Sequence, residues 1–104
     1  MRLEVVSPEA TLFSGEINSV AVPGANGAFQ VLDNHAPIVS ILNPGTVKIG
    51  GKISLPEETA HHFNQQGEDT FLELPNGGTL EMQQNKVVLL ADLDFISATN
   101  PLKL

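Results

Sequence analysis

Short apolar segments separated by turn residues run along the whole chain, and this pattern constrains the fold more than any other feature. Residues 20–49 show it best, reading V-A-V-P-G-A-N-G-A-F-Q-V-L-D-N-H-A-P-I-V-S-I-L-N-P-G-T-V-K-I. Gly/Asn turns, an Ala36-Pro37 corner and a Pro44-Gly45 turn separate its apolar runs. Short strands with such regular turn signals are typical of sandwiches and barrels. We therefore predict an all-β fold, a flattened antiparallel β-sandwich or barrel of about nine to ten short strands.

The alternation of side chains indicates which strand faces are buried. In residues 46–52, Val47 and Ile49 are predicted to point inward, because successive side chains of a strand point to opposite faces. The run V-V-L-L-A at residues 87–91 does not alternate. An unbroken apolar strand is usually covered on both faces. We expect one face of this strand to lie in the core and the other to be covered by another layer or by a partner.

The domain organisation follows from the chain length and from the regular succession of apolar runs and turns. The 104 residues suit one domain with one modest core, so residues 1–104 are interpreted as a single domain. The regular succession of strand-like runs is interrupted at about residues 53–68, which we interpret as a loop insertion. Within it, residues 56–59 are expected to start a short helical turn and residues 64–67 to form a loop.

The strongest hairpin signal in the chain is Asn76-Gly77, because both residue types tolerate positive φ. It predicts a tight turn that joins a strand at residues 70–74 to a returning strand at residues 79–83.

Charge and composition exclude several classes of partner. The net charge of −7 argues against nucleic acid and against direct docking on anionic lipid. It permits a basic protein partner. The chain has no cysteine, and no apolar stretch approaches the roughly 20 residues of a membrane helix. Met1-Arg2 leads straight into a strand-like run, so we expect no signal peptide. Any membrane association is therefore expected to run through partner proteins.

Histidines and carboxylates provide the candidates for catalysis or metal binding. Adjacent side chains of a strand point to opposite faces, so His61 and His62 are expected to occupy a solvated loop and not to share one ion. His35 is interpreted as a hydrogen-bonded residue that fixes its loop. The acidic residues in or near the insertion are interpreted as belonging mostly to a solvated, charged loop; they are Glu57, Glu58, Glu68, Asp69 and Glu73. We expect no catalytic residue, no cofactor and no metal site.

The segment V-P-G-A-N-G at residues 22–27 contains two glycines three positions apart. It lacks the G-x-G-x-x-G spacing, a following helix and a P-loop lysine, so it is a weak phosphate cradle. Small residues at an exposed tip allow another backbone to approach closely. A contact role therefore fits this segment better.

Three blocks of sequence resemble the N-terminal β-domain of the epsilon subunit of F-type ATP synthases. They are L-E-V-V-S-P-E-A-T-L-F-S-G-E-I, the 20–49 segment, and G-G-T-L-E-M-Q-Q-N-K-V-V-L-L-A-D, in that order and spacing. The resemblance implies a ten-stranded flattened sandwich in the central stalk, with no active site of its own. It implies one sandwich face on the gamma subunit, loops on the membrane c-ring, and coupling of proton-driven rotation to ATP synthesis. The chain would then be one copy in a hetero-oligomer, peripheral to the cytoplasmic face of the bacterial inner membrane.

The resemblance also implies which residues face the c-ring. They fall in the loop 24–28 and in its expected neighbour, the loop 33–35; the named candidates are Gly24, Ala25, Asn26, Gly27, Ala28, Asp33 and His35. The family commonly has an acidic residue in the first loop, whereas residues 25–28 are uncharged here. Asp33 is a candidate for supplying that charge.

Many members of the family carry a helical hairpin after the sandwich, linked to inhibition of ATP hydrolysis. The chain ends at Leu104, so we expect no such hairpin and none of its functions. One alternative is a carbohydrate-binding sandwich, which the lack of Trp and Tyr disfavours. Another is a small metal-dependent barrel enzyme using His35, His61, His62 and a glutamate, whose spacing matches no known cage.

Overall fold

A computed structural model describes residues 1–93 of the chain. Ten strands and one 3-10 turn lie in this part. The strands are β1 (Arg2–Val6), β2 (Thr11–Glu16), β3 (Ser19–Val22), β4 (Phe29–Leu32), β5 (Ile38–Leu42), β6 (Gly45–Gly50), β7 (Phe63–Gln66), β8 (Asp69–Leu74), β9 (Gly78–Gln83) and β10 (Lys86–Ala91). The 3-10 turn spans Ala60–His62. Residues 94–104 of the predicted single domain lie outside the described part.

The strands form two five-stranded sheets. Sheet 1 has the order β2-β1-β10-β9-β5, and sheet 2 has the order β4-β3-β6-β8-β7. The prediction of an all-β sandwich is confirmed. Its antiparallel character holds for the pairs of neighbouring strands within residues 1–93 except β1 and β10, which run parallel. A parallel pair needs a long connection, and here most of the chain lies between the two strands.

The core lies between the sheets and follows from the alternation of the strands. Val47 and Ile49 of β6 are fully buried, as predicted, and the exposed Lys48 lies between them. Both sheets contribute alternate residues to this single cluster, including Leu3, Val5, Val20, Val31, Leu72, Leu74, Leu80, Met82, Val87 and Leu89. Removing each such side chain from water contributes about 1.5–3 kcal/mol.

Strand β10 is buried on one face only. Val87, Leu89 and Ala91 are fully buried, whereas Val88 is half-buried and Leu90 is 46% exposed. One face therefore lies in the core, as predicted. No second layer of residues 1–93 covers the other face.

The predicted Asn76-Gly77 hairpin is wrong. Strand β8 before it pairs within sheet 2, and β9 after it pairs within sheet 1, so the turn crosses between the sheets. Only Gly77 of the pair has positive φ, at 76°. The two-residue hairpin turn lies instead at Gln84 and Asn85, which join β9 to β10. Both residues have positive φ, at 53° and 58°. A type I′ turn requires positive φ at both central residues.

The segment interpreted as an insertion contains a strand. A turn at residues 56–59 precedes the 3-10 turn, so the expected helical turn is present close to its predicted place. Residues 64–66, expected to form a loop, belong instead to strand β7, which pairs with β8. The mistake has a physical cause. β7 is an edge strand with three exposed polar residues, so it lacks the apolar alternation that marks a strand.

Candidate partner-binding surfaces

The loop 24–28 is the exposed tip of the hairpin formed by β3 and β4. Gly24 is buried, and a Cβ there would collide with the Phe29 ring and the Gly27 carbonyl, so only glycine fits. The Gly27 N–H donates to the Gly24 carbonyl at 3.0 Å, and the Ala25 N–H donates to the Ile41 carbonyl at 2.8 Å. Residues 25–28 are exposed beyond this base. The loop is a short, uncharged tip anchored to sheet 1.

The loop 33–35 is held by a network of polar contacts. The Asn34 N–H donates to Asn85 Oδ1 at 2.7 Å, and Asn85 Nδ2 donates to Asp33 Oδ1 at 3.1 Å. The Met1 α-ammonium lies 2.9 Å from Asp33 Oδ1 and 3.2 Å from Glu16 Oε1. The network draws the chain start, the β2 end and the β9–β10 hairpin together around this loop.

Charge pairing shifts two pKa values in this network. The hydrogen bond to Asp33, followed by the one to Glu16, raises the pKa of the Met1 ammonium above its ordinary 8.0. The hydrogen bond from the same ammonium, followed by that from Asn85, lowers the pKa of Asp33 below its ordinary 3.8. Asp33 therefore carries a negative charge that is already paired within the chain.

The two loops lie at opposite ends of β4, so the expectation that they are neighbours in space is wrong. Loop 24–28 precedes Phe29 and loop 33–35 follows Leu32. A strand of four residues spans about 13 Å. Adjacency in sequence misled the prediction, because an extended strand separates its two ends as far as the chain allows. Asp33 is thus poorly placed to supply a charge to the first loop.

His35 behaves as a structural residue within its loop. Its ring Nδ1 lies 2.7 Å from the Ala36 carbonyl oxygen, so a protonated Nδ1 donates to it. The backbone N–H of His35 donates to the Leu32 carbonyl at 3.1 Å. These bonds agree with the interpretation of His35 as a residue that fixes its loop.

His61 and His62 lie side by side, contrary to the argument from strand geometry. Their ring centroids are 4.1 Å apart, because both belong to the 3-10 turn. Burial, followed by repulsion from the charged form of His61, lowers the pKa of His62. Within residues 1–93 no group of three or more His, Cys, Asp or Glu residues is placed to hold a metal ion.

The outer face of sheet 1 exposes large apolar side chains. Val39 is 73% exposed, Ile41 66% and Leu90 46%. Across the sheet, Val39 lies opposite Glu81 and then Val88, while Ile41 lies opposite Thr79, Leu90 and then Val6. We define the apolar outer face as Val6, Val39, Ile41, Val88 and Leu90. Sequence reasoning found the β10 part of it and missed the β5 part, which only the pairing with β9 reveals.

Exposed apolar side chains grouped on one face of a sandwich are typical of a surface that binds another protein. A family model described as the ATP synthase delta/epsilon chain beta-sandwich domain matches residues 1–93. The chain belongs to this family. The resemblance noted in the sequence is therefore confirmed.

Several relatives carry the name ATP synthase epsilon chain. The protein of Chlorobaculum tepidum is 40% identical over 90 residues, covering 86% of each chain. The protein of Herminiimonas arsenicoxydans is 41% identical over 92 residues, covering 88% of this chain and 56% of its own length. The chain thus spans most of the first relative and just over half of the second.

A solved structure shares the fold. It is the central stalk and c-ring of the Tetrahymena thermophila mitochondrial ATP synthase, determined by cryo-electron microscopy. One of its chains superposes with a TM-score of 0.65 at 13% identity, covering 96% of this chain and 72% of that one. Within residues 1–93, no helix is long and apolar enough to cross a membrane.

Proposed function

We propose that this chain is a non-catalytic rotor subunit of a proton-translocating F-type ATP synthase. Membership of the family and relatives named ATP synthase epsilon chain support this assignment. The observation that carries the proposal is the apolar outer face of sheet 1. In the proposal this face packs on the gamma subunit of the central stalk.

Burial of the apolar outer face supplies part of the binding free energy. Fully burying a Val, Ile or Leu side chain contributes about 1.5–3 kcal/mol. Scaled by their exposed fractions, Val39, Ile41 and Leu90 together contribute about 3–6 kcal/mol. Association costs about as much or more in lost rigid-body freedom. The interface must therefore extend over Val6, Val88 and the polar residues around them.

The contact with gamma can be tested by co-expression and size-exclusion chromatography. Val39→Asp or Leu90→Asp places a charge on an exposed position, so the fold is kept while co-elution with gamma is lost. Leu32→Asp is the matched control, because Leu32 is 53% exposed but lies in sheet 2. Co-elution of both sheet 1 variants at the wild-type level would refute the assigned face.

The second part of the proposal is contact with the c-ring, through loop 24–28 and through Asp33 and His35. The exposed, anchored tip of loop 24–28 supports its role. Because the loops lie at opposite ends of β4, both reach the ring only if the β3–β4 hairpin lies along its surface. In this arrangement the chain transmits ion-driven rotation of the ring to gamma. It is held at the cytoplasmic face of the bacterial membrane by its partners.

Disulfide cross-linking tests the c-ring contact, and the lack of native cysteine makes it clean. Asn26→Cys is expected to cross-link to a cysteine placed in the polar loop of the c-subunit, in the assembled complex. His35→Cys reports the orientation: cross-linking from both positions indicates a hairpin lying along the ring. A complex that contains gamma but gives no cross-link from Asn26→Cys would contradict this part of the proposal.

A further inference from the structure

Glu81 is a charged residue set within the apolar outer face. It lies on β9 between Val39 of β5 and Val88 of β10 in the same cross-strand row. Its side chain is exposed. Within residues 1–93 its carboxylate has no ion pair or hydrogen-bond partner, since Lys86, the nearby cation, lies 3.4 Å from Glu4 instead. The face assigned to gamma therefore has an unpaired negative charge close to its centre.

A hollow beside Glu81 has the shape and chemistry of a side-chain socket. It has a volume of about 300 Å³ and is lined by Val39, Thr79, Leu80, Glu81, Val88 and Leu90. Apolar groups form most of this lining, and Glu81 contributes its only charge. Such a socket fits a side chain with an aliphatic stem and a cationic head, which is the build of lysine and arginine.

When a partner protein covers this face, the Glu81 carboxylate needs a positively charged partner. An apolar partner surface would remove water from the carboxylate, and a desolvated charge without a counter-charge is strongly unfavourable. Lys86, which lines a hollow together with Glu81, is paired with Glu4 at 3.4 Å, so in this arrangement the compensating charge comes from the partner. A basic residue on the partner both offsets the desolvation and selects the orientation of docking.

We propose that a lysine or arginine of the gamma subunit inserts between Val39, Val88 and Leu90 and pairs with Glu81. This inference rests on the proposed function, because it takes gamma as the protein that covers the apolar outer face. It adds the chemistry of the contact: gamma presents a basic side chain surrounded by apolar residues. Glu81 then sets the register of the two surfaces, and the apolar residues around it exclude water.

The test measures the dissociation constant of the gamma complex for wild type, Glu81→Gln and Glu73→Gln. Removing the charge of one partner of a desolvated pair, as in Glu81→Gln, is expected to weaken binding about 30-fold or more, mainly by faster dissociation. Glu73→Gln is the matched control, since Glu73 is an exposed strand carboxylate on sheet 2. It is expected to bind like wild type. Unchanged melting temperatures show that both variants are folded.

A charge exchange identifies the partner residue. Glu81→Lys is expected to abolish binding, and one Lys→Glu or Arg→Glu variant of gamma is expected to restore it. If Glu81→Gln binds within twofold of wild type while Leu90→Asp does not bind, the inference is overturned and the gamma interface stands. If wild type itself fails to bind gamma, the proposed function fails, and this inference fails with it.

Discussion

Gly77 offers a sharp test of how the two sheets are joined. It is buried in the crossover between β8 and β9, with φ of 76°, and its carbonyl accepts from the Asp92 N–H at 3.1 Å. A Cβ at this position would collide with the Leu42 carbonyl oxygen. Leu42 belongs to the edge strand β5, which pairs with β9. The replacement Gly77→Ala therefore strains the backbone and pushes β5 away from its neighbour.

Two penalties add in Gly77→Ala. A left-handed conformation costs a residue with a side chain about 1–2 kcal/mol. Forcing an extra methyl group into a packed site costs a further 1–3 kcal/mol or so. The free energy of unfolding should therefore fall by about 2–5 kcal/mol, a large share of the 5–15 kcal/mol or so typical of a domain. Urea denaturation with a common slope measures the change.

The matched control is Gly67→Ala in the turn between β7 and β8. Gly67 also has positive φ, at 65°, but a Cβ there has no neighbour within 4 Å. It should therefore lose only the conformational part, about 1–2 kcal/mol. We argue that close packing at the crossover, in addition to backbone conformation, requires glycine at position 77. An equal fall in the free energy of unfolding for the two variants would refute this argument.

Two further predictions concern stability. The pair of the Met1 ammonium and Asp33 stabilises the fold at neutral pH. The pKa of Asp33 is lowered from 3.8, so its contribution to the free energy of unfolding is lost as pH falls through the lowered pKa. The pKa of the Met1 ammonium is raised from 8.0, so its contribution is lost as pH rises through the raised pKa. Asp33→Asn should flatten both limbs of a stability–pH curve measured by thermal melting, and parallel curves for the two proteins would contradict this. Leu89→Ala should cost about 2–5 kcal/mol in urea denaturation, since Leu89 is fully buried between the sheets; a loss below about 1 kcal/mol would mean that the core collapses around the cavity.

Part of the fold and of the candidate site is written locally in the sequence. Alternation at Val47 and Ile49 identifies the buried face of β6, because the period of a strand sorts its side chains whatever its neighbours are. Small residues with glycines at positions 24 and 27 mark loop 24–28 as an exposed tip. The order of the apolar blocks is enough to indicate the family.

What the sequence alone determined is therefore the class of fold, most strands, their inward faces and the family. Tertiary structure decided everything that depends on which strand lies beside which. Asn76-Gly77 has the local chemistry of a hairpin, yet the two strands it joins pair in different sheets. The apolar outer face exists only because β5 pairs with β9 and thereby places Val39 and Ile41 in line with β10. Pairing between distant segments depends on burial of the whole core, so no local pattern contains it.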